Sequence, residues 1–326
     1  MEHRRLGKTG YEISAVGFGA WAIGGSWGAQ DDEQSLEALR AAVERGVNFI
    51  DTADVYGDGR SERLIGRLRR ELGAPLVIAT KIGRRAPLDL SNYTLHNFRD
   101  WVDRSRENLG MDRLDLVQLH CLPTESYYRP EIFDALDQLV EERRIAHYGV
   151  SVEKVEEGLK AIEYPNLASV QIIYNVFRQR PAQLFFREAQ RRDVGVIVRV
   201  PLASGLLTGK LTQNTQFAED DHRKFNRHGE QFDVGETFAG VDYETGLEVV
   251  EELKSLVPER ATMTQFALRW ALMQEAVSTV IPGARTAAQA VQNAAAADLA
   301  PLPEATMARI SELYRARVAP LVHQRW

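Results

Sequence analysis

The stretch "VNFIDTADVYGDG", Val47 to Gly59, is an apolar run that ends on Asp51 and places a tyrosine, Tyr56, five positions later. A short apolar run closed by a Gly-Asp-Gly cluster reads as a buried strand followed by a turn. Helical spacing of apolar residues takes over from Glu62 to Leu72. The stretch is therefore the strand and loop of one βα unit, with Asp51 at the strand's C-terminal end.

The same unit recurs along the chain. "SAVGFG" (14–19) leads to a helix pattern at Gln34–Glu44, "LVIATK" (76–81) to Leu95–Leu109, and "LDLVQLH" (114–120) to Glu131–Glu142. "IAHYGVS" (145–151) leads to Val155–Ile162, "ASVQIIYN" (168–175) to Ala182–Arg192, and "VGVIVRVPL" (194–202), after an interruption, to Thr264–Met273. "VSTVIPG" (277–283) precedes Thr286–Ala296. Alternating strands and helices imply a parallel sheet, and eight of each close an α/β fold of the (β/α)8 barrel type.

No Ser/Gly/Pro-rich linker divides the sequence, so residues 1–326 read as one barrel domain. "RRLGKTGYEIS" (4–14) reads as an N-terminal β-hairpin that plugs the barrel bottom, and Pro303–Val318 as an extra C-terminal helix. The tail "APLVHQRW" (319–326) ends on an aromatic that either reaches the pocket or packs outside. The polar, aperiodic segment Thr212–Asp242 lies between the seventh strand and its helix. Long segments at that end of a barrel tend to be functional, and this one is expected to cover a ligand; a tolerated surface insertion is the alternative.

Composition excludes little but points one way. The 326 residues are 44% hydrophobic and 26% charged, with a net charge of −6, an ordinary balance for a globular enzyme that disfavours nucleic acid as a partner. No window is long and apolar enough to span a membrane, and "MEHRRLGKTG" lacks a signal-peptide core, so a cytoplasmic protein is expected. The one cysteine, Cys121, reads as a buried structural thiol, and the histidines show no metal-ligand spacing.

Barrel enzymes carry their chemistry at the C-terminal ends of strands. There the sequence sets Asp51, Lys81 and His120, with Tyr56 in the loop after Asp51. Singly, each has a plain reading: a cap, a solvated ammonium, a satisfied imidazole, a packed ring. Together they have a chemical use. A phenol, with a pKa of about 10, can protonate an oxygen that turns negative, a nearby ammonium favours phenolate, and a carboxylate orients that ammonium. His120 can hydrogen-bond the substrate oxygen.

At these residues the sequence resembles the aldo-keto reductases, NADP(H)-dependent (β/α)8 barrels that interconvert carbonyls and alcohols. The resemblance is carried by "GFGAW" (17–21), "GVNFIDTADVYGDGRSE" (46–62), "ATK" (79–81), "LDLVQLH" (114–120), "YGVS" (148–151), "VQIIYN" (170–175), "PLASGLLTGK" (201–210) and "IPGARTAAQAVQN" (281–293). It implies a catalytic tetrad of Asp51, Tyr56, Lys81 and His120, with Tyr56 the general acid. It also implies that Ser151 and Gln171 hold the nicotinamide carboxamide. Leu202, Ser204, Gly205, Leu206 and Lys210 would face the pyrophosphate. Arg285, Gln289 and Asn293 would surround the adenosine 2′-phosphate, Gly283 would also bind the cofactor, and Trp21 would line the substrate pocket beside the nicotinamide.

Part of the phosphate reading stands without the family. Thr286 and Gln289 are spaced as a capping box, and an arginine beside a helix N-terminus is badly placed unless an anion lies between them. A solvated Arg285 beside a plain cap is the alternative, and it would favour NAD(H). The sequence departs from the family at Val152, where an Asn usually follows the Ser, and at Arg199, where many members stack a Tyr on the nicotinamide. "HCLPT" (120–124) also replaces a more aromatic run. Two other functions fit the fold: a cofactor-bound sensor or auxiliary subunit, and a sugar-phosphate isomerase or aldolase using Lys81 as a Schiff base.

Overall fold

The computed structural model describes residues 1–25 and 31–326. Eight parallel strands follow one another around a sheet: β1 (Phe18–Gly19), β2 (Phe49–Asp51), β3 (Val77–Ile82), β4 (Leu114–His120), β5 (Ile145–Ser151), β6 (Ser169–Ile173), β7 (Gly195–Arg199) and β8 (Val277–Val280). The sheet closes where bridges Val16↔Val280 and Gly19↔Gly283 join its first and last strands. A barrel results, as the eightfold rhythm predicts. β1 is shorter than "SAVGFG" suggests, because Ser14 is taken by the hairpin and Gly17 N–H donates to Val280 O across the seam at 2.8 Å.

The outer helices are α1 (Asp32–Glu44), α2 (Arg60–Leu72), α3 (Leu95–Leu109), α4 (Pro130–Glu141), α5 (Val155–Ala161), α6 (Phe185–Arg191), α7 (Met263–Leu272) and α8 (Ala287–Ala294). Local chemistry sets their ends. Asp31 and Thr94 cap α1 and α3 through side-chain oxygens, and Gly73 and Gly110 end α2 and α3 in left-handed conformation. Arg60 and Arg67 of α2 pair with Asp32 and Glu33 of α1. Among the described residues no helix is long and apolar enough to cross a membrane.

The hairpin pairs His3–Arg5 with Glu12–Ser14 and sends Leu6 and Ile13 into the barrel bottom. There they join Phe49, Ala79, Leu116 and Ile197 in a layer separate from the main core between barrel and helices. Gly195 makes this possible, since a Cβ there would sit 2.5 Å from Leu6 Cδ1. Apolar filling below leaves the next inward layer, two residues further along each strand, free to be polar.

After β7 the chain builds short helical turns at His222–Phe225, Val234–Glu236 and Phe238–Gly240, then a full helix at Tyr243–Lys254 that the sequence reading left unassigned. The C-terminal helix runs over Glu304–Leu313 and continues as a π-helical turn at Tyr314–Val318. The tail does not enter the catalytic cleft; Trp326 packs against the insertion.

Candidate active site

Strand alternation aims Asp51, Lys81, Gln118 and Gln171 inward at one level of the barrel. Asp51 Oδ1 accepts from Lys81 Nζ at 2.5 Å, and Oδ2 accepts from Gln171 Nε2 at 2.7 Å and Gln118 Nε2 at 3.1 Å. Lys81 also donates to Thr52 O at 2.9 Å. With both members of the ion pair almost wholly buried, the ring of amides supplies the hydrogen bonds that water would otherwise give. Gln118 is a member that the sequence reading missed. Gln171 spends its amide N–H on Asp51 and Gln118 in this structure.

One level up, Tyr56 lies with its ring 5.2 Å from Lys81 Nζ and 5.8 Å, edge to face, from His120. Trp21 stacks on Tyr56 at 6.2 Å and touches His222 and Phe232 of the insertion. The expectation that the ammonium lowers the phenol's pKa is not met. Burial first, then the Asp51 and Glu236 carboxylates, push Tyr56 well above the usual phenol value, while Arg199 and Arg84 oppose them. Burial is the leading cause, and the Asp51 carboxylate, in contact with Lys81, adds to it instead of leaving the ammonium to act alone. His120 is held well below the usual imidazole value by burial, then by Arg84, Lys81 and Arg199. Its Nδ1 has no hydrogen-bond partner among the described residues. Both shifts favour the uncharged forms, phenol and neutral imidazole.

Beyond His120 stands a buried charge cluster that the sequence reading did not foresee. Arg199 donates to Glu153 Oε2 at 2.7 Å and to Val152 O at 3.0 Å, and reaches Glu236 of the insertion at 3.5 Å. Arg84 lies 3.6 Å from Glu153 and 3.7 Å from Glu236 and donates to His120 O at 2.9 Å. Burial, with Glu236 alongside, raises Glu153; Glu236 is itself lowered, because Arg199 and Arg84 outweigh its burial. Cys121, Glu153 and Glu236 bring ligand atoms within 4.8 Å of one another, yet the guanidiniums occupy the position a metal cation would need. Burial and Glu153 push the Cys121 thiol up to about 12, which makes it an inert wall of the pocket.

From Trp21 and Tyr56 a cleft of about 400 Å³ runs over the barrel mouth to the N-terminus of α8. Ser151, Gln171, Arg199, Leu202, Ser204, Gly205 and Lys210 line it on one side, and Gly283, Arg285, Gln289 and Asn293 at its far end. Leu206 does not face it; that side chain is fully buried against Gly246. Arg223 and Glu236 of the insertion, missed in the sequence, also line it. The strap after β7 is strained: Val200, Ala203, Ser204 and Gly205 all have positive φ, three of them non-glycine. Strain of this kind persists where a functional geometry is over-determined, and successive left-handed residues turn backbone N–H groups toward an anion.

At α8, Thr286 Oγ1 accepts from Gln289 N–H at 3.3 Å, but Gln289 Oε1 takes the N–H of Arg285 at 2.8 Å instead of closing a reciprocal box on Thr286. Asn293 Nδ2 donates to Gly283 O at 3.1 Å. The loop Gly283–Thr286 is thereby fastened to the first turns of its own helix, and Arg285 is set beside that helix's positive end.

With this geometry in place, the aldo/keto reductase family profile matches residues 15–315. The chain belongs to the aldo/keto reductase family. Among its relatives, "Aldo-keto reductase YhdN" of Bacillus subtilis is 31% identical over 89% of this chain and 86% of its own. "Probable voltage-gated potassium channel subunit beta" of Arabidopsis thaliana is 29% identical over 93% of each. The solved glycerol dehydrogenase AKR11B4 of Gluconobacter oxydans superposes with a TM-score of 0.78 at 27% identity, covering 97% of this chain and 96% of that one.

Proposed function

We propose that this aldo/keto reductase is an NADP(H)-dependent enzyme that reduces aldehydes or ketones to alcohols. The observation that carries the reading is the meeting, at one barrel mouth, of Tyr56, Lys81 and His120 with a cleft that ends at Arg285 and the α8 N-terminus. The strap at Leu202–Lys210 fits a pyrophosphate, because its strained backbone gathers N–H groups and Lys210 adds charge. Arg285, Gln289 and Asn293 fit a ribose phosphate at a helix terminus.

The bound dinucleotide would supply a hydride to the carbonyl carbon. Tyr56 would give its proton to the carbonyl oxygen, and His120 would direct that oxygen by a hydrogen bond. Lys81, fixed by Asp51, would stabilise the phenolate left behind. Arg199 and Glu236 line the same cleft as the rings of Trp21 and Tyr56, which suits a short carbonyl compound carrying a hydroxyl that can both accept and donate. The glycerol dehydrogenase likeness supports the same class.

Tyr56→Phe tests the acid: reduction of a good aldehyde should fall by about 10²–10⁴-fold, with dinucleotide affinity kept. Equal rates would remove Tyr56 from the mechanism. Arg285→Ala should weaken NADPH by about 10–100-fold, the worth of one charge-assisted phosphate bond, and leave NADH nearly unchanged; equal losses would refute the 2′-phosphate role. The channel-subunit relatives favour an auxiliary role as the second reading. Turnover of a panel pairing glyceraldehyde with propanal separates the two, since a sensor would bind NADPH and consume neither.

A further inference from the structure

Trp326, the last residue of the sequence, is buried against the insertion. Its indole lies 4.1 Å from the Arg178 guanidinium, and Nε1 donates to Asp233 Oδ1 at 2.9 Å. Its main-chain oxygen accepts from Arg180 at 2.6 Å. The insertion meets the ring with two glycines: a Cβ on Gly240 would fall 2.4 Å from Cη2, and one on Gly235 would fall 3.0 Å from Cε2.

Between those glycines stands Glu236, facing Arg199 at 3.5 Å and Arg84 at 3.7 Å. Its carbonyl accepts from Ser204 Oγ at 2.9 Å, and the N–H of Phe238 donates to the same hydroxyl at 3.1 Å. Residues 233–240 are therefore held on one side by Trp326 and on the other by a strap residue and the arginine pair of the candidate active site.

We propose that Trp326 is a positioning residue: it seats residues 233–240 so that Glu236 and Ser204 close the cleft over a bound dinucleotide. The inference rests on the dinucleotide reading above. Without the indole, two glycines of high backbone freedom lose their bed, and Asp233 and Arg178 lose a shared partner. Ser204 then loses the support of Glu236 and Phe238, which loosens the strap while Tyr56, Lys81 and His120 stay in place.

The test uses the full chain with Trp326→Ala, Trp326→Phe and Gly235→Ala, the last of which crowds the indole and its partners together, its Cβ falling 2.7 Å from Arg178 Nη1, 2.8 Å from Asp233 Oδ1 and 3.0 Å from the ring. NADPH release is followed by stopped-flow fluorescence, and tryptic cleavage after Arg223, Lys224 and Arg227 by mass spectrometry, each beside a thermal melt. Trp326→Ala should speed release and cleavage by at least about fivefold with the melt little changed, as for a segment opened locally. Trp326→Phe should stay within about twofold of wild type, since it keeps the stacked ring. Gly235→Ala should reproduce the loss, since it displaces the Arg178 and Asp233 groups that hold the indole. Unchanged release and cleavage in Trp326→Ala would overturn the proposal. So would a Trp326→Ala protein that melts early while Gly235→Ala keeps wild-type release. Failure of the wild type to bind NADPH would instead strike the functional reading, and the cleavage arm would still decide whether Trp326 seats the segment.

Discussion

Asp51 is the residue on which the site's charge balance turns, because it accepts from Lys81, Gln118 and Gln171 at once. Removing one partner of a buried pair strands the other charge. Lys81→Met should therefore lower unfolding free energy by about 3–5 kcal/mol, whereas the double change Asp51→Asn, Lys81→Met should recover much of it and remain inactive. Urea unfolding measures both, and a single variant no less stable than the double would contradict a structural ion pair. Asp51, Lys81 and His120 were legible in the sequence because each closes an apolar run and so stands out against it. Gln118 was harder to see, although it shares the inward phase of "LDLVQLH" with Leu116 and His120. The Arg84, Arg199, Glu153 and Glu236 cluster had no local signal, since its members come from four separate loops and strand ends. The Tyr56 shift runs opposite to the expectation for a related reason: sequence spacing names the ammonium but not the burial that outweighs it.

Strands and helices were the most legible level, because a parallel barrel strand is an apolar run and an outer helix has a one-sided stripe. The exceptions have physical causes. β1 is short because its residues are shared between hairpin and seam, and Tyr243–Lys254 went unassigned because a strict one-helix-per-strand rhythm leaves no place for it. Its buried Val249, Val250 and Leu253 had the spacing to reveal it. The hairpin's role is testable at Leu6, which is fully buried among Ile13, Phe49 and Ile197. Leu6→Ala should cost about 2–5 kcal/mol in urea unfolding while leaving NADPH affinity unchanged, because the plug lies at the end of the barrel away from the cleft. A matching loss of affinity would mean that the plug also shapes the polar layer above it.

The molecule as a whole should lose stability on both sides of a shallow optimum. Asp54 is buried with neither carboxylate oxygen hydrogen-bonded among the described residues, and burial, then Glu62, raises it to about 8. The native state keeps that proton above the unfolded value, so stability falls as pH rises toward 8, by at most roughly 1.4 kcal/mol per unit. Buried His120 and His222 and half-buried His147 and His323 are shifted the other way, His222 to about 4, so their contribution is present above about pH 6.5 and lost as pH falls. Melts from pH 5 to 8 should therefore peak near pH 6.5, and Asp54→Asn should flatten the upper arm; an unchanged slope would show that Asp54 is ionised in the fold. The last consequence belongs to the barrel's closure. β4 and β5 pair from Leu114↔Ile145 to His120↔Ser151, whereas among the described residues β1 holds β2 through Phe18, Gly19 and the Ala20 N–H to Asp51 O, and meets the last strand at the bridges named above. The ring is thus a hoop with one weak stave. Amide hydrogens of Gly17 and Gly19 should exchange ahead of those in β4 and β5, reporting partial opening there. A dinucleotide reaching from Trp21 to Gly283 would clamp both edges of that stave, so ligand-induced protection should be largest where the hoop is thinnest.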